Sequence, residues 1–302
     1  MINFARGTIN RMEVVGELVA LKLEQKLTKT GKQMIMGNVD VEVVKDNNVN
    51  VIELKVLAMA GNKMYTSLQT VMNEYKTRQI DGVGDKVRIQ GSVELNEYMG
   101  GDGILKSFNI CNGRFFHRLS EAEHANLGGD KAILTLGGTY MSNKEVLDNE
   151  GLPTGEYEVD IFGRTYNSTS KENDKINCLK GLKMSGELFE IFENEFTVGE
   201  NVTLNIEINR GIVVREETTE KKGFGVQPKV VNNSYRWDYQ IVGGTSQGMA
   251  EEEDLEQLKM LRKQQLADVS GDGTMDNGKG FGVKPQQNVG QTFGAMDEDL
   301  PF

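Results

Sequence analysis

The chain has 302 residues, with 34 Lys and Arg against 45 Asp and Glu, a net charge of −11. Mean hydropathy is −0.44, and no apolar run reaches the roughly 18 residues that a membrane span needs. Two histidines (His117, His124) and two cysteines (Cys111, Cys178) argue against a His-rich metal site, a His-based triad and a disulfide framework, and fit a reducing cytoplasm. Met1 to Met12 lacks the apolar core of a secretory signal. The acidic total conceals an uneven distribution. Residues 1–119 carry 16 basic and 13 acidic residues, a net of +3, whereas 120–246 and 247–302 carry −8 and −6. The first stretch is therefore the first candidate for meeting a polyanion.

Residues 1–119 read as strands. Val14–Leu23 and Val49–Met59 are rich in Val, Leu and Ile, while Val39–Val43 and Val87–Leu95 alternate apolar with polar, the period of a half-buried strand. Ile104–Ile110 is a fifth strand. Between the third and fourth lies one predicted helix, Thr66–Arg78, with Leu68, Val71, Met72 and Tyr75 at helical spacing and Thr66 or Ser67 as cap. Three strands, a helix and two strands is the order of an OB-fold, a five-stranded Greek-key barrel. Its first and last hairpins fall at Gln25–Met34 and Asn96–Gly103.

Residues 120–246 repeat the plan less cleanly. Strands are expected at Lys131–Met141, Glu156–Tyr166, Ile176–Met184, Asn201–Asn209 and Tyr235–Val242, with a turn-rich loop at Asn143–Gly155 and a short helix after Ser185. The reading is a second, diverged OB-fold; another small barrel or sandwich is the alternative. Residues 247–302 begin with a helix, Glu251–Asp268, whose acids lead and whose bases follow, as the helix dipole favours. Leu255, Leu258, Leu261 and Leu266 mark the face expected to pack on the protein or on a second copy. From Val269 to Ala295 the chain is Gly, Gln, Asn and Asp, a composition that cannot bury a core and is expected to be disordered.

The chain ends Met296-Asp297-Glu298-Asp299-Leu300-Pro301-Phe302. An acidic run closed by Leu-Pro-Phe after such a linker, behind OB-like strand orders, resembles the single-stranded DNA-binding proteins of bacteria and phages. The resemblance covers the architecture and the last residues, not the body residue by residue. Two barrels in one polypeptide depart from the single OB-fold usual in bacterial members and suggest a phage or mobile-element version acting in a host cytoplasm. Strand order and resemblance together lead to an expected all-β fold with minor helices, tandem OB-fold β-barrels followed by a short helix and a disordered acidic tail. The resemblance implies protection of single-stranded DNA during replication, recombination or repair, without strong sequence preference. It also implies recruitment of proteins of those processes through the tip. There, Phe302 offers a ring to an apolar pocket, Pro301 lowers the entropy lost, and Asp297, Glu298, Asp299 and the terminal carboxylate meet a basic rim.

Single-strand binding needs cations for phosphates and rings for bases. Lys26, Lys29 and Lys32 in the first hairpin fit a phosphate clamp. Lys55 and Arg88 lie on the polar phase of their strands. Tyr98 stands on the last hairpin beside Gly100-Gly101. Phe108 is either a stacking ring or core, and Arg114-Phe115 is either buried between domains or in contact with DNA. In the second part Tyr235, Trp237 and Tyr239 alternate, as a stacking platform or a packed row. Lys222-Gly-Phe224-Gly-Val-Gln-Pro recurs as Lys279-Gly-Phe-Gly-Val-Lys-Pro, a pairing of Lys with Phe suited to phosphate and base. No cofactor, metal, membrane or small-molecule substrate is expected, and no phosphate loop, paired CxxC or metal-spaced His points to an enzyme. The competing readings are a recombination mediator or annealing protein, and a host-directed protein-interaction module that mimics the host tail.

Overall fold

In the computed structural model the described residues are 4, 7–46, 48–148, 150–167, 170–217 and 230–270, with backbone alone at 212–217 and 230–235. Five strands form the first barrel: β1 (Ile9–Leu27), β2 (Gln33–Lys45), β3 (Asn48–Met59), β4 (Lys86–Met99) and β5 (Leu105–Arg118). β1 pairs antiparallel with β2 and β4, β2 with β3 and β4 with β5, and a parallel bridge from Lys55 to Asn112 joins β3 to β5 and closes the ring. This is the closed OB topology.

Between β3 and β4 lie α1 (Lys63–Glu74) and the single turn α2 (Arg78–Asp81). The predicted helix thus starts and stops earlier than expected. Asn62 rather than Thr66 or Ser67 is the N-cap, its side chain accepting from the Met64 amide at 3.0 Å, and Tyr75 is extended. Tyr65, Leu68 and Val71 are the buried face of α1.

A short helix, α3 (Glu121–Asn126), opens with a Ser120/Glu123 capping box and leads to the second barrel. Its strands are β6 (Lys131–Leu147), β7 (Pro153–Asn167), β8 (Glu172–Cys178), β9 (Leu182–Ser185), β10 (Glu200–Glu217) and β11 (Val230–Met249), with α4 (Gly186–Glu195) before β10. The same pairing scheme recurs, β9 meeting β11 in parallel at Leu182 and Tyr239. The second barrel is therefore an OB-fold whose third strand is split into β8 and β9. Two expectations are corrected. Residues 143–147 are strand, not loop, because they pair with β7 (Glu145 opposite Tyr157). The strands expected to end at Asn209 and to begin at Tyr235 run further, β10 and β11 remaining paired out to Glu217 and Val230.

The barrels are joined by β1 and β6. Ile9–Val15 runs antiparallel to Lys131–Gly137, Met12 opposite Leu134. All eleven strands form one sheet, and one apolar cluster, including Met12, Val14, Leu134 and Leu204, runs through both barrels. β2 passes too close to β1 for a side chain at Gly37, where a Cβ would lie 1.9 Å from the Lys22 carbonyl oxygen and φ is 145°.

Each barrel also extends its last hairpin onto the other. Asn109 on β5 donates to the Lys180 carbonyl (2.7 Å) and accepts from its amide (3.0 Å). On β10, the Arg210 amide donates to Asn50 (3.3 Å), and the Lys45 ammonium pairs with Glu207. Cys111 of β5 meets the Tyr239 hydroxyl of β11, 3.9 Å apart and buried. The last helix, α5 (Glu252–Ser270), packs Leu258 and Leu261 beside Ile176. These are two of the four leucines of the face expected from the sequence, and the protein itself covers them. Among the described residues no helix is long and apolar enough to cross a membrane.

Two predictions follow from this packing. On β4, the Glu97 carboxylate accepts a bidentate pair from Arg262 of α5 (2.7 Å for one arm), with side chains 1% and 11% exposed. Burial raises the Glu97 pKa, but Arg262 and the Ser107 hydroxyl together more than offset it, so the carboxyl sits below its usual range. A lowered folded pKa means that the unfolded chain binds more protons. The pair's contribution is full above the ordinary carboxylate pKa and is lost as pH falls through the lowered value. Urea unfolding across that window should show the loss. Arg262→Met should cost about 3 kcal/mol or more at neutral pH, since it strands a buried carboxylate. The second prediction concerns the thiols. Burial pushes Cys111 up to about 12 and Cys178 up to about 11. Neither should react with a disulfide reagent at about pH 8 in the native protein, and both should react once urea unfolds it.

Candidate nucleic-acid interface

Strand alternation decides which residues of the first barrel face outward. On β3, Leu54 and Val56 are buried and Lys55 between them points out, its neighbour across the parallel bridge being Asn112. Desolvation alone holds the Lys55 ammonium below its usual pKa. On β5 the alternation is interrupted. Phe115 is opposite Gln90 and Gly113 opposite Gly91, so Arg114 is an extra residue, a β-bulge. The bulge turns two successive side chains outward, and Phe115 is 62% exposed. The expectation left Arg114 and Phe115 between domain burial and solvent; both are at the surface. Lys63, at the start of α1, completes a depression lined by Lys55, Lys63, Arg114 and Phe115.

A second depression adjoins the first and shares Glu94 and Arg114 with it. It lies between β4–β5 of the first barrel and β7–β8 of the second. There Arg164, Tyr166 and Lys175 line it. Tyr166 is also 62% exposed. Together the two depressions make one groove with five cations, Lys55, Lys63, Arg114, Arg164 and Lys175, against a single carboxylate, Glu94. Glu94 pairs with Arg114 at 3.2 Å, both side chains half exposed, a contact that water weakens and a phosphate can displace. Lys63, Arg164, Tyr166 and Lys175 were not singled out from the sequence. The signal for two of them is visible there: Val159, Ile161 and Gly163 are the buried phase of β7, which leaves Arg164 and Tyr166 on the outward phase.

Other expected residues lie elsewhere. Lys26 is on β1 and pairs with Glu24 at 2.9 Å. Lys29 and Lys32 are exposed on the turn to β2, next to Gln33, which accepts from the Tyr65 hydroxyl of α1 at 3.2 Å. That turn stands at the α1 end of the groove. Arg88 lies away from the groove: its guanidinium is bonded to Glu13 (2.7 Å) and it lines a separate hollow with His117 and Arg118. Tyr98 lies away from the groove too. It packs edge-on against Phe108 (6.1 Å, 85°) with Lys106 beyond its ring, both rings half-buried, on a hairpin held to α5 by Glu97 and Arg262.

On β11, Tyr239 and Trp237 are packed against their neighbours. Tyr239 is 3% exposed, and Trp237 stacks on it at 6.2 Å beneath the Arg210 guanidinium. The Tyr235 side chain, Lys222, Phe224 and the tip residues Asp297, Glu298, Asp299, Leu300, Pro301 and Phe302 lie outside the described residues. Among the described residues no group of three or more His, Cys, Asp or Glu is placed to hold a metal ion.

Comparison with known proteins gives one family and a set of distant folds. No curated protein sequence matches the chain. The wild-type single-stranded DNA binding protein from Thermus aquaticus is similar in structure over 81% of this chain and 95% of its own, at 11% identity and a TM-score of 0.47. A deletion mutant of that protein covers 81% and 97%, at 11% identity and 0.45. The mitochondrial single-stranded DNA binding protein from S. cerevisiae covers 36% and 94%, at 10% identity and 0.27. The YorF family matches residues 8–272, a span that takes in both barrels and α5. The chain belongs to the YorF family.

Proposed function

We propose that this protein binds single-stranded DNA in the groove and, through its C-terminal tip, brings replication, recombination or repair proteins to the bound strand. One observation carries the reading. In a chain of net charge −11, the groove that crosses from the first barrel to the second has five cations to one carboxylate and an exposed ring, Phe115, among them. Spaced cations neutralise phosphates and release counterions, and a ring stacks on any base. Neither contact reads base edges, so binding has little sequence preference. Duplex hides the base faces that Phe115 needs. The mode is binding rather than catalysis. In this reading residues 1–119 supply the primary contacts, 120–246 support them, and 247–302 serve partners. A phage or mobile-element chain that borrows host partners fits such a tail.

Anisotropy titration of labelled oligo-dT, with duplex of equal length alongside, tests the reading. Single-strand affinity should fall with salt at a log–log slope of about −0.7 per phosphate contacted. Phe115→Ala should weaken it by roughly 5- to 100-fold, the value of one stacked base. Its thermal midpoint should be unchanged, because the ring is exposed. Equal affinity for duplex, or full affinity in Phe115→Ala, would overturn the assignment. Deleting Leu300–Phe302 should leave DNA affinity intact or slightly raised while abolishing capture of partner proteins; loss of DNA affinity would contradict the role given to the tip.

A further inference from the structure

The two barrels are related by an approximate two-fold axis through the β1–β6 seam, and the relation can be followed residue by residue. Met12 faces Leu134. Gly91 of β4 is the partner of Met12, and Ile206 of β10 is the partner of Leu134. Three residues on from each lie Glu94 and Asn209. Likewise the outward residue of the first parallel bridge, Lys55 opposite Asn112, corresponds to Lys183 opposite Gln240. Two OB barrels so related have two quasi-equivalent faces and two quasi-equivalent clefts at the seam. The side chains on the two sides differ.

On the second barrel's own face, Lys183 is only 13% exposed and donates to Glu156 at 3.0 Å, and Gln240 donates to the same carboxylate. The positions matching Arg114 and Phe115, two and three residues after the bridge, are Val242 and Gly243. That face has neither a bulged cation nor a ring. At the second cleft of the seam the corresponding side chains are paired as well. Where the first cleft has Ser92 and Glu94 facing an opening, the second has Glu207 paired to Lys45 and Asn209 bonded to Asn50. One face and one cleft are open, and they are contiguous through Arg114 and Glu94.

We propose that a bound strand follows a single asymmetric path: over the face of the first barrel at Phe115, across the seam at Arg114, and onto β7–β8 of the second barrel. There Tyr166 stacks a second base and Arg164 and Lys175 take phosphates. The proposal rests on the single-strand reading above and adds a second subsite to it. The path has an end. Lys175 and Ile176 also border a hollow whose other walls include Asp174 on β8 and Asp268 of α5, and carboxylates there repel a phosphate chain. Ring, cation and ring recur along the groove, so several nucleotides bind in one continuous strand rather than in two equivalent sites.

Two lengths of oligo-dT separate this path from its alternatives. One of about 8 nucleotides is within the site size of a single barrel, and one of about 25 exceeds it. Phe115→Ala should weaken both. Tyr166→Ala should weaken the longer by about tenfold and leave the shorter unchanged, and Lys175→Ala should reduce the salt slope of the longer alone by about 0.7. Tyr166 and Lys175 are exposed, so neither change threatens the fold. Lys183→Ala should alter neither affinity. In oligonucleotides carrying 5-iodouracil, photocrosslinks should reach Tyr166 from the longer strand. Tyr166→Ala and Lys175→Ala that match the wild type on the longer strand overturn the path, as does a loss of affinity in Lys183→Ala. A wild-type chain that binds neither length overturns the single-strand reading itself.

Discussion

The pairing of β1 with β6 is the contact on which the rest depends. Each of these strands serves three neighbours. The first half of β1 lies between β4 and β6, and its second half pairs with β2; β6 treats β10, β1 and β7 in the same way. Along most of the seam both edges of each strand are paired, so two barrels become one sheet with a shared core. The seam also sets the distance at which each last hairpin reaches the opposite barrel. It places Asn109 at Lys180, Arg210 at Asn50 and Cys111 at Tyr239. A groove crossing both barrels can hold its shape because the strands beneath it are hydrogen-bonded to one another rather than linked by a tether.

What was legible in the sequence was periodic. The alternation in β2 and β4 and the Val-rich runs of β1 and β3 marked strands whose positions held, and the strand–helix order was enough for two barrels. Boundaries were less legible, because they depend on partners far along the chain. Residues 143–147 are a strand only because β7 lies beside them. The helix cap at Asn62 was overlooked because Lys63-Met64 precedes the apolar positions that draw attention. The seam itself left no trace in composition; nothing in Ile9–Val15 distinguishes a strand with two neighbours from one with three.

The site was half legible for a similar reason. Lys55, Arg114 and Phe115, which line the candidate groove, stand out in the sequence because strand phase and an Arg-Phe-Phe cluster are local signals. Whether Phe115 is outside or in the core turns on one bulged residue, and a bulge is a relation between two strands. Arg88 shares the outward phase with Lys55, yet Glu13 on the neighbouring strand neutralises it. The ring row of β11 reads the same on paper whether it faces solvent or, as Tyr239 does, a second barrel. Phase tells which residues are together; only the fold tells which side has water.

Charge then decides how such a groove works within an acidic chain. At physiological salt a charge is screened beyond about 8 Å. The distant carboxylates that make the total −11 therefore contribute little at the groove, where cations outnumber acids five to one. The same screening limits what the cations do alone, because counterion release weakens as salt rises. Stacking carries no such dependence. On the proposed path, a groove that interleaves Phe115 and Tyr166 with Arg114, Arg164 and Lys175 would keep part of its affinity when salt removes the rest. In the proposed reading, the acidic groups outside the groove would disfavour other polyanions, duplex among them, on the remainder of the surface. In that reading both parts of the discrimination are local: carboxylates repel within a Debye length wherever they stand, and the cations and rings attract by contact along one path.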